Sequence, residues 1–334
     1  MAMNAVARAL LTRLATPQAV ALLAVLAFNW AQFPAFFHIT LQDGRLFGSL
    51  IDVIYRAAPV AILAVGMTAV IATRGVDLSV GAIMAVAGAV AATLVVAGYP
   101  TPVAVLAALS VGLICGLWNG ILVAVLDIQP FVATLVLMVA GRGIAQLITA
   151  GSIVTFDDPW LIFLGTGSIL GLPMAAVIMV VLTVLAIILV RRTALGLFIE
   201  AVGSNRTAAL YAGIRARAVL LMVYAFCGVC AAVAGVLAAA DIRGADANNA
   251  GLWLELDAIL AVVIGGTSLL GGRFSIAMSV LGAIIIQAMN TGILMSGLPP
   301  EFNLIVKAGV IIAVLLLQSP RVRARVTGIA KALK

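Results

Sequence analysis

Long apolar runs, separated by short polar breaks, restrict this chain more than any other feature. Residues 174–190, MAAVIMVVLTVLAIILV, carry no charge and stop only at Arg191 and Arg192. About 20 apolar residues cross a bilayer core as a helix, which bonds its own backbone internally. The pattern recurs along 334 residues, of which 65% are hydrophobic and 9% charged. Soluble domains do not bury that much apolar sequence, so the chain reads as an all-α polytopic membrane protein. Spans are expected near 15–33, 55–73, 78–98, 102–126, 130–150, 168–190, 218–240, 256–271, 275–296 and 302–318. That makes about ten transmembrane helices in a single domain over 1–334, ending in a basic tail at 319–334. Pro100, Pro102, Pro130, Pro173, Pro299 and Pro300 mark several breaks.

The basic residues orient the chain. With ten spans both termini share a side, and the side richer in Arg and Lys is the cytoplasmic one. Cytoplasmic termini place 14 of the 19 basic residues inside, among them Arg8, Arg13, Arg74, Arg191, Arg192, Arg206, Arg215, Arg217 and Arg273. Arg45, Arg56 and Arg243 then face outward, and Arg142 and Lys307 fall within spans. The formal charge of +7 therefore reports orientation at the lipid bilayer, not a nucleic-acid partner. Arg8 and Arg13 precede an apolar run at 19–27 without a small-residue cleavage site, which predicts an uncleaved first span. Segment 199–217 then lies in the cytoplasm between spans six and seven.

Small residues predict how the helices pack. Gly112, Gly116 and Gly120 recur every four residues on one face of span four, where they permit close backbone approach. Cys227 and Cys230 have C-x-x-C spacing within an apolar run and read, with Cys115, as packing residues. His38 lies in an interfacial stretch and reads as an interface residue.

Polar residues inside apolar runs are costly, and they mark candidate sites. Asp77 and Ser79 begin span three, either as a helix cap or as part of a pathway. Asn119 sits on the glycine face of span four, where it either bonds a neighbouring helix or lines a pore. Gln129, Thr134, Arg142 and Gln146 follow along span five, Arg142 either functional or snorkelling outward. Gln287 and Asn290 lie in span nine. Asp77, Ser79, Asn119, Phe131, Thr134, Gln287 and Asn290 make up the expected substrate pathway. Amides and hydroxyls dominate that set and trade hydrogen bonds with a neutral, hydroxyl-rich solute. The outer loop 241–257 is polar and acidic, either simply solvated or a docking surface.

The motifs the sequence lacks are as informative. A G-x-x-x-x-G-K-[ST] loop does not occur, so the chain does not hydrolyse ATP by that route. One interfacial histidine gives no nucleophile–base pair, so no catalytic residues are assigned. No cluster suggests a metal site or cofactor, and no acid–base relay suggests proton coupling.

Four stretches taken together, GVDLSVGAIMA, QPFVATLVLMVAGRG, GSNRTAALYAGI and ELDAILAVVIGGTSLLGG, resemble the permease subunits of bacterial ABC importers in the ribose-type sugar branch. The resemblance covers about residues 45–318. It implies an ABC importer permease bundle in the bacterial inner membrane. It also implies the partners: a second permease subunit (identical or different), cytoplasmic ATP-binding subunits and a periplasmic sugar-binding protein. Through LQDGRLFGS, AADIRGADANNAGLWLELDAILAVVIGG and MNTGILMSG it is greatest to galactofuranose importers, implying galactofuranose as substrate, with ribose or arabinose next.

In that branch the segment after span six is a coupling helix that fits a groove on the ATPase. The resemblance thus assigns coupling to Gly203, Asn205, Arg206, Ala208, Ala209, Gly213 and Ile214. Ala208, Ala209 and Gly213 would present a narrow face, with arginines offering charge pairing at its rim. The resemblance likewise assigns docking of the binding protein to Asp241, Asp246, Asn248 and Asn249. The chain departs from the branch where an acidic residue often lies near Arg206, and where Phe274 replaces a glycine after GGR. The thin scatter of polar groups predicts that no high-affinity sugar site lies within the membrane.

Overall fold

A computed structural model describes residues 16–312 apart from 43, 298, 300, 301, 303, 310 and 311. Its helices in chain order are α1 (Pro17–Gln32), α2 (Ser49–Ala72), α3 (Val80–Val96), α4 (Thr101–Ala124), α5 (Pro130–Ile148) and α6 (Pro159–Thr166). They continue with α7 (Met174–Arg192), α8 (Leu195–Ser204), α9 (Arg206–Tyr211), α10 (Ala216–Ile242), α11 (Leu254–Ile264) and α12 (Ile276–Met295). Residues 304–309 are helical as well. Short antiparallel pairs tie the connections: β1 (Thr40–Gln42) with β2 (Arg45–Phe47), β3 (Val154–Thr155) with β6 (Gly244–Ala245), and β4 (Ser168–Ile169) with β5 (Leu172–Pro173). Among the described residues, α2, α4, α5, α7, α10 and α12 are long and apolar enough to cross a membrane.

α10 forms the axis of the bundle, with α4, α3 and α2 packed around it. The expected glycine seam accounts for the closest of these contacts. A Cβ on Gly112 would stand 2.4 Å from the Gly228 carbonyl oxygen, and one on Gly116 would stand 2.3 Å from that of Tyr224. Small residues thus bring two backbones together where lipid supplies no hydrophobic drive. Cys227 and Cys230 are buried, free thiols, and both pack on Gly66 of α2. At the other edge α1 lies along α12, tied by Asn29 Nδ2 donating to the Ala288 carbonyl at 2.8 Å.

Two expected spans are shorter than their hydropathy suggests. The run expected at 168–190 opens as the β4–β5 hairpin, whose turn holds Leu170 and Gly171 at φ 53° and 82°, and α7 starts only after Pro173. The run expected at 256–271 holds the 11-residue α11 and then breaks at Gly265. Gly266, Gly271 and Gly272 adopt φ 86°, 76° and 98°, a region that favours glycine and ends a helix. At 1.5 Å per residue α11 rises ~16 Å, about half of a bilayer core. Most of the expected span at 302–318, the tail at 319–334 and residues Arg8 and Arg13 lie outside the described residues.

Candidate functional site

The segment before α11 packs against the bundle. Gly244, Ala245, Ala247 and Gly251 are buried while Asn248, Asn249, Leu252 and Trp253 are exposed, so residues 244–253 meet the bundle through their small residues. A Cβ on Gly251 would stand 2.4 Å from the Gly81 carbonyl oxygen, which puts this turn against the first turn of α3. α5 holds its far side. Arg142 Nη1 donates to the carbonyls of Ala247 (3.0 Å) and Ala250 (2.6 Å), and one turn on Gln146 Nε2 donates to Asn248 Oδ1 at 2.9 Å. Arg142 is therefore engaged with protein carbonyls.

Beside this segment lies a cavity of about 650 Å³. It sits at the C-terminal end of α10, a helix ~40 Å long whose other end adjoins α8 and α9. α2, α3 and α10 give it an apolar surface through Pro59, Val60, Met84 and Leu237. Pro59 also lacks the N–H that would bond the Tyr55 carbonyl one turn earlier in α2. Gln287 and Asn290 of α12, Asp257 of α11 and Lys307 are polar, as are Tyr55 and Arg56 of α2 on the same lining. Lys307 Nζ donates to Asp257 Oδ2 at 2.7 Å, both side chains being largely buried. Asn290 Nδ2 lies 3.4 Å from Gln287 Oε1, while Asn290 Oδ1 is buried without a partner among the described residues.

Of the docking set, Asp241, Asp246 and Asn249 line the mouth of this cavity and Asn248 faces α5. Asp241 accepts a hydrogen bond from the Tyr55 hydroxyl. The Asn249 amide donates to Asp246 Oδ2 at 2.8 Å, and the backbone N–H groups of Asn248 and Asn249 donate to Asp246 Oδ1.

Four of the expected pathway residues lie elsewhere. Asp77, Ser79, Asn119 and Thr134 are fully buried and bonded to one another or to the same turn. Ser79 donates to Asp77 Oδ1 from its backbone N–H (2.9 Å) and its hydroxyl (2.6 Å). Asn119 Nδ2 donates to Ser79 Oγ at 2.8 Å, and the Leu78 N–H donates to Thr134 Oγ1 at 3.2 Å. The cluster thereby fastens the α2–α3 turn to α4 and α5. Phe131 is 52% exposed, away from the cavity. Gln287 and Asn290 alone of that set line the cavity.

The opposite end carries the expected coupling residues on α8 and α9. Gly203 is buried: its Cβ would fall 1.8 Å from the Ala72 carbonyl oxygen, at the end of α2. Arg74 Nη2 donates to the Ser204 carbonyl at 2.6 Å, and the Gly272 N–H donates to Ala72 at 2.9 Å, so α2, α8 and the turn after α11 meet there. Asn205 caps α9 by accepting from the Ala208 N–H at 3.0 Å. Arg206 pairs with Asp127 of the α4–α5 turn at 3.0 Å. Ala209 is buried and Ile214 half-buried, whereas Ala208, Leu210, Tyr211, Ala212 and Gly213 are exposed. Among the described residues no group of three or more His, Cys, Asp or Glu could hold a metal ion.

Sequence reasoning did not single out Tyr55, Asp127, Asp257 or Lys307 as site residues. A signal for one pair was present: Asp257 and Lys307 are opposite charges set in two apolar runs, where an unpaired charge is costly.

Comparison with known proteins places these features in context. The family described as branched-chain amino acid transport system / permease component matches residues 49–315. The chain is 61% identical to the galactofuranose transporter permease protein YtfT of Escherichia coli (strain K12), over 94% of this chain and 92% of that one. It is 44% identical to the fructose import permease protein FruF of Bifidobacterium longum (strain NCC 2705), over 84% and 80%. With the ribose import permease protein RbsC of E. coli (strain K12) it shares 38% identity, over 90% and 92%. No solved structure matches the chain.

Proposed function

We infer the function from one premise: this chain belongs to the branched-chain amino acid transport system / permease component family. It is the membrane-embedded permease of an ATP-driven importer, and its substrate is a neutral monosaccharide, galactofuranose first. The observation that carries the sugar reading is the cavity. Its polar lining combines the carboxamides Gln287, Asn290 and Asn249 and the Asp257–Lys307 ion pair with Tyr55, Arg56, Asp241 and Asp246, beside an apolar wall. A sugar ring has both hydroxyl edges and C–H faces, and fits such a lining. The 61% identity to a galactofuranose permease favours that sugar over the ribose and fructose of more distant relatives.

The remaining parts follow from the two ends of the bundle. The chain crosses the membrane ten times with both termini cytoplasmic, which puts α8 and α9 inside and the cavity toward the periplasm. Substrate passes through the cavity by way of Gln287 and Asn290. The Asp77–Ser79–Asn119–Thr134 cluster holds α3 in place beside that route. The exposed face of α9 and the turn after it, Ala208, Tyr211, Ala212 and Gly213, meets a cytoplasmic ATP-binding subunit. Gly203, Asn205 and Ala209 seat that face on the bundle. A periplasmic sugar-binding protein docks at Asp241, Asp246 and Asn249, and a second permease subunit completes the pathway. Selectivity rests mostly with the binding protein.

The test is uptake of labelled sugars in a strain lacking other importers, with the cognate binding protein and ATPase supplied. Galactofuranose uptake is expected. Ribose uptake without galactofuranose uptake would overturn the sugar assignment, and uptake of branched-chain amino acids alone would overturn the class.

A further inference from the structure

The buried Asp257–Lys307 pair lines the cavity, but the route as described so far gives it no contact with the sugar. Both residues lie in apolar segments, with side chains 9% and 18% exposed. An ion pair in such a place is expensive to desolvate, and apolar residues of similar volume would fill the wall at no cost in stability. The pair leaves bonding capacity unused. Lys307 has three N–H donors and gives one to Asp257; the second carboxylate oxygen accepts no bond from the described residues. Asn290 Oδ1, on the same cavity, is a buried acceptor with no partner among the described residues.

We propose that Asp257, Lys307 and Asn290 form a hydroxyl-recognition station that holds two adjacent hydroxyls of a neutral sugar in transit. This rests on the sugar-permease reading above. One hydroxyl accepts from Lys307 and donates to Asp257, the charge-assisted arrangement that makes hydrogen bonds strong. A neighbouring hydroxyl donates to Asn290 Oδ1. Because the two charges already neutralise each other, the station favours an uncharged solute. A zwitterion would have to separate a 2.7 Å ion pair to bind its own charges there. The apolar surface from Pro59, Val60 and Met84 takes the ring's C–H face.

The test is transport by the full complex in proteoliposomes, with the binding protein saturated with D-galactose (which includes its furanose form) or with single-deoxy galactoses. The readout is sugar moved per ATP hydrolysed. For the wild type, removal of a recognised hydroxyl is expected to lower that ratio about tenfold. In the double variant Asp257→Leu/Lys307→Leu the ratio for galactose is expected to fall to the deoxy level, with no further loss for the deoxy sugar. A purely structural pair behaves differently: the double variant then keeps the wild-type ratio and the wild-type deoxy penalty, which overturns the proposal. Should the double variant not insert, Asn290→Leu gives the same contrast. Loss of discrimination at one hydroxyl supports the station, and an unchanged deoxy pattern overturns it. A wild-type complex that moves amino acids and no sugar would fail the sugar reading itself, before the variants are compared.

Discussion

The glycine seam between α4 and α10 gives the sharpest quantitative expectation. Gly116→Ala adds a Cβ 2.3 Å from the Tyr224 carbonyl oxygen and 2.9 Å from the Ala225 Cα, both backbone atoms. Ordinary contact begins near 3.5 Å, so the two helices must part by about 1 Å. Overpacking of this kind costs about 1–3 kcal/mol, against about 1 kcal/mol gained from replacing glycine within a helix. The upper half of that range leaves a net loss of about 1–2 kcal/mol, which at a few degrees per kcal/mol lowers the melting temperature by about 2–8 °C. Gly143→Ala on α5 supplies the control, since its Cβ would meet nothing within 4 Å. The propensity gain is then unopposed, and stability holds or rises by up to about 1 kcal/mol. The native thiols provide the assay: Cys227 and Cys230 are buried, so a thiol-reactive fluorophore reports unfolding of the detergent-solubilised permease. Opposite signs at the two sites are expected. A Gly116→Ala variant as stable as Gly143→Ala would refute the packing argument.

Four further outcomes follow from the structure. Thr134→Val leaves the Leu78 N–H without its acceptor and should cost about 1–3 kcal/mol in the same melting assay, while Phe131→Ala, at an exposed site, should cost less. Tyr211→Ala, at a side chain 86% exposed, should leave insertion and melting unchanged but weaken ATPase co-purification; undiminished co-purification would remove α9 from the docking face. Arg206→Ala breaks an exposed ion pair and should change stability by less than about 1 kcal/mol. Ala208→Cys should react with a membrane-impermeant thiol reagent only from the cytoplasmic side in oriented vesicles, and reaction from the periplasmic side would invert the proposed topology.

The arrangement of Arg142 shows where local reading stops. Its charge within span five was evident, but its bonds depend on Ala247 and Ala250, more than a hundred residues away. The same holds for Asp77 and Asn119: each was a legible polar residue in an apolar run, and cap and pore lining were open readings for one, helix bond and pore lining for the other. Their mutual burial at the foot of α3 is a product of packing. Ala209, which its spacing made part of a narrow outward face, turns inward because the six-residue α9 rotates it onto the bundle.

The apolar runs by themselves determined that the chain is a helical membrane bundle, since every apolar residue added to a run lowers the cost of burying it in lipid. The four-residue glycine repeat likewise determined which face of α4 meets a neighbour, because that spacing is a property of the helix alone. Hydropathy could not see that α11 stops at Ile264, since the glycines that end it are nearly as apolar as a span; their φ values end it. Nor could it see that Asp257 reaches Lys307 or that Asn290 Oδ1 has no partner among the described residues. Those contacts join residues far apart along the chain, and only the tertiary fold, by closing the loops between them, decides which polar groups are satisfied and which are left facing the cavity.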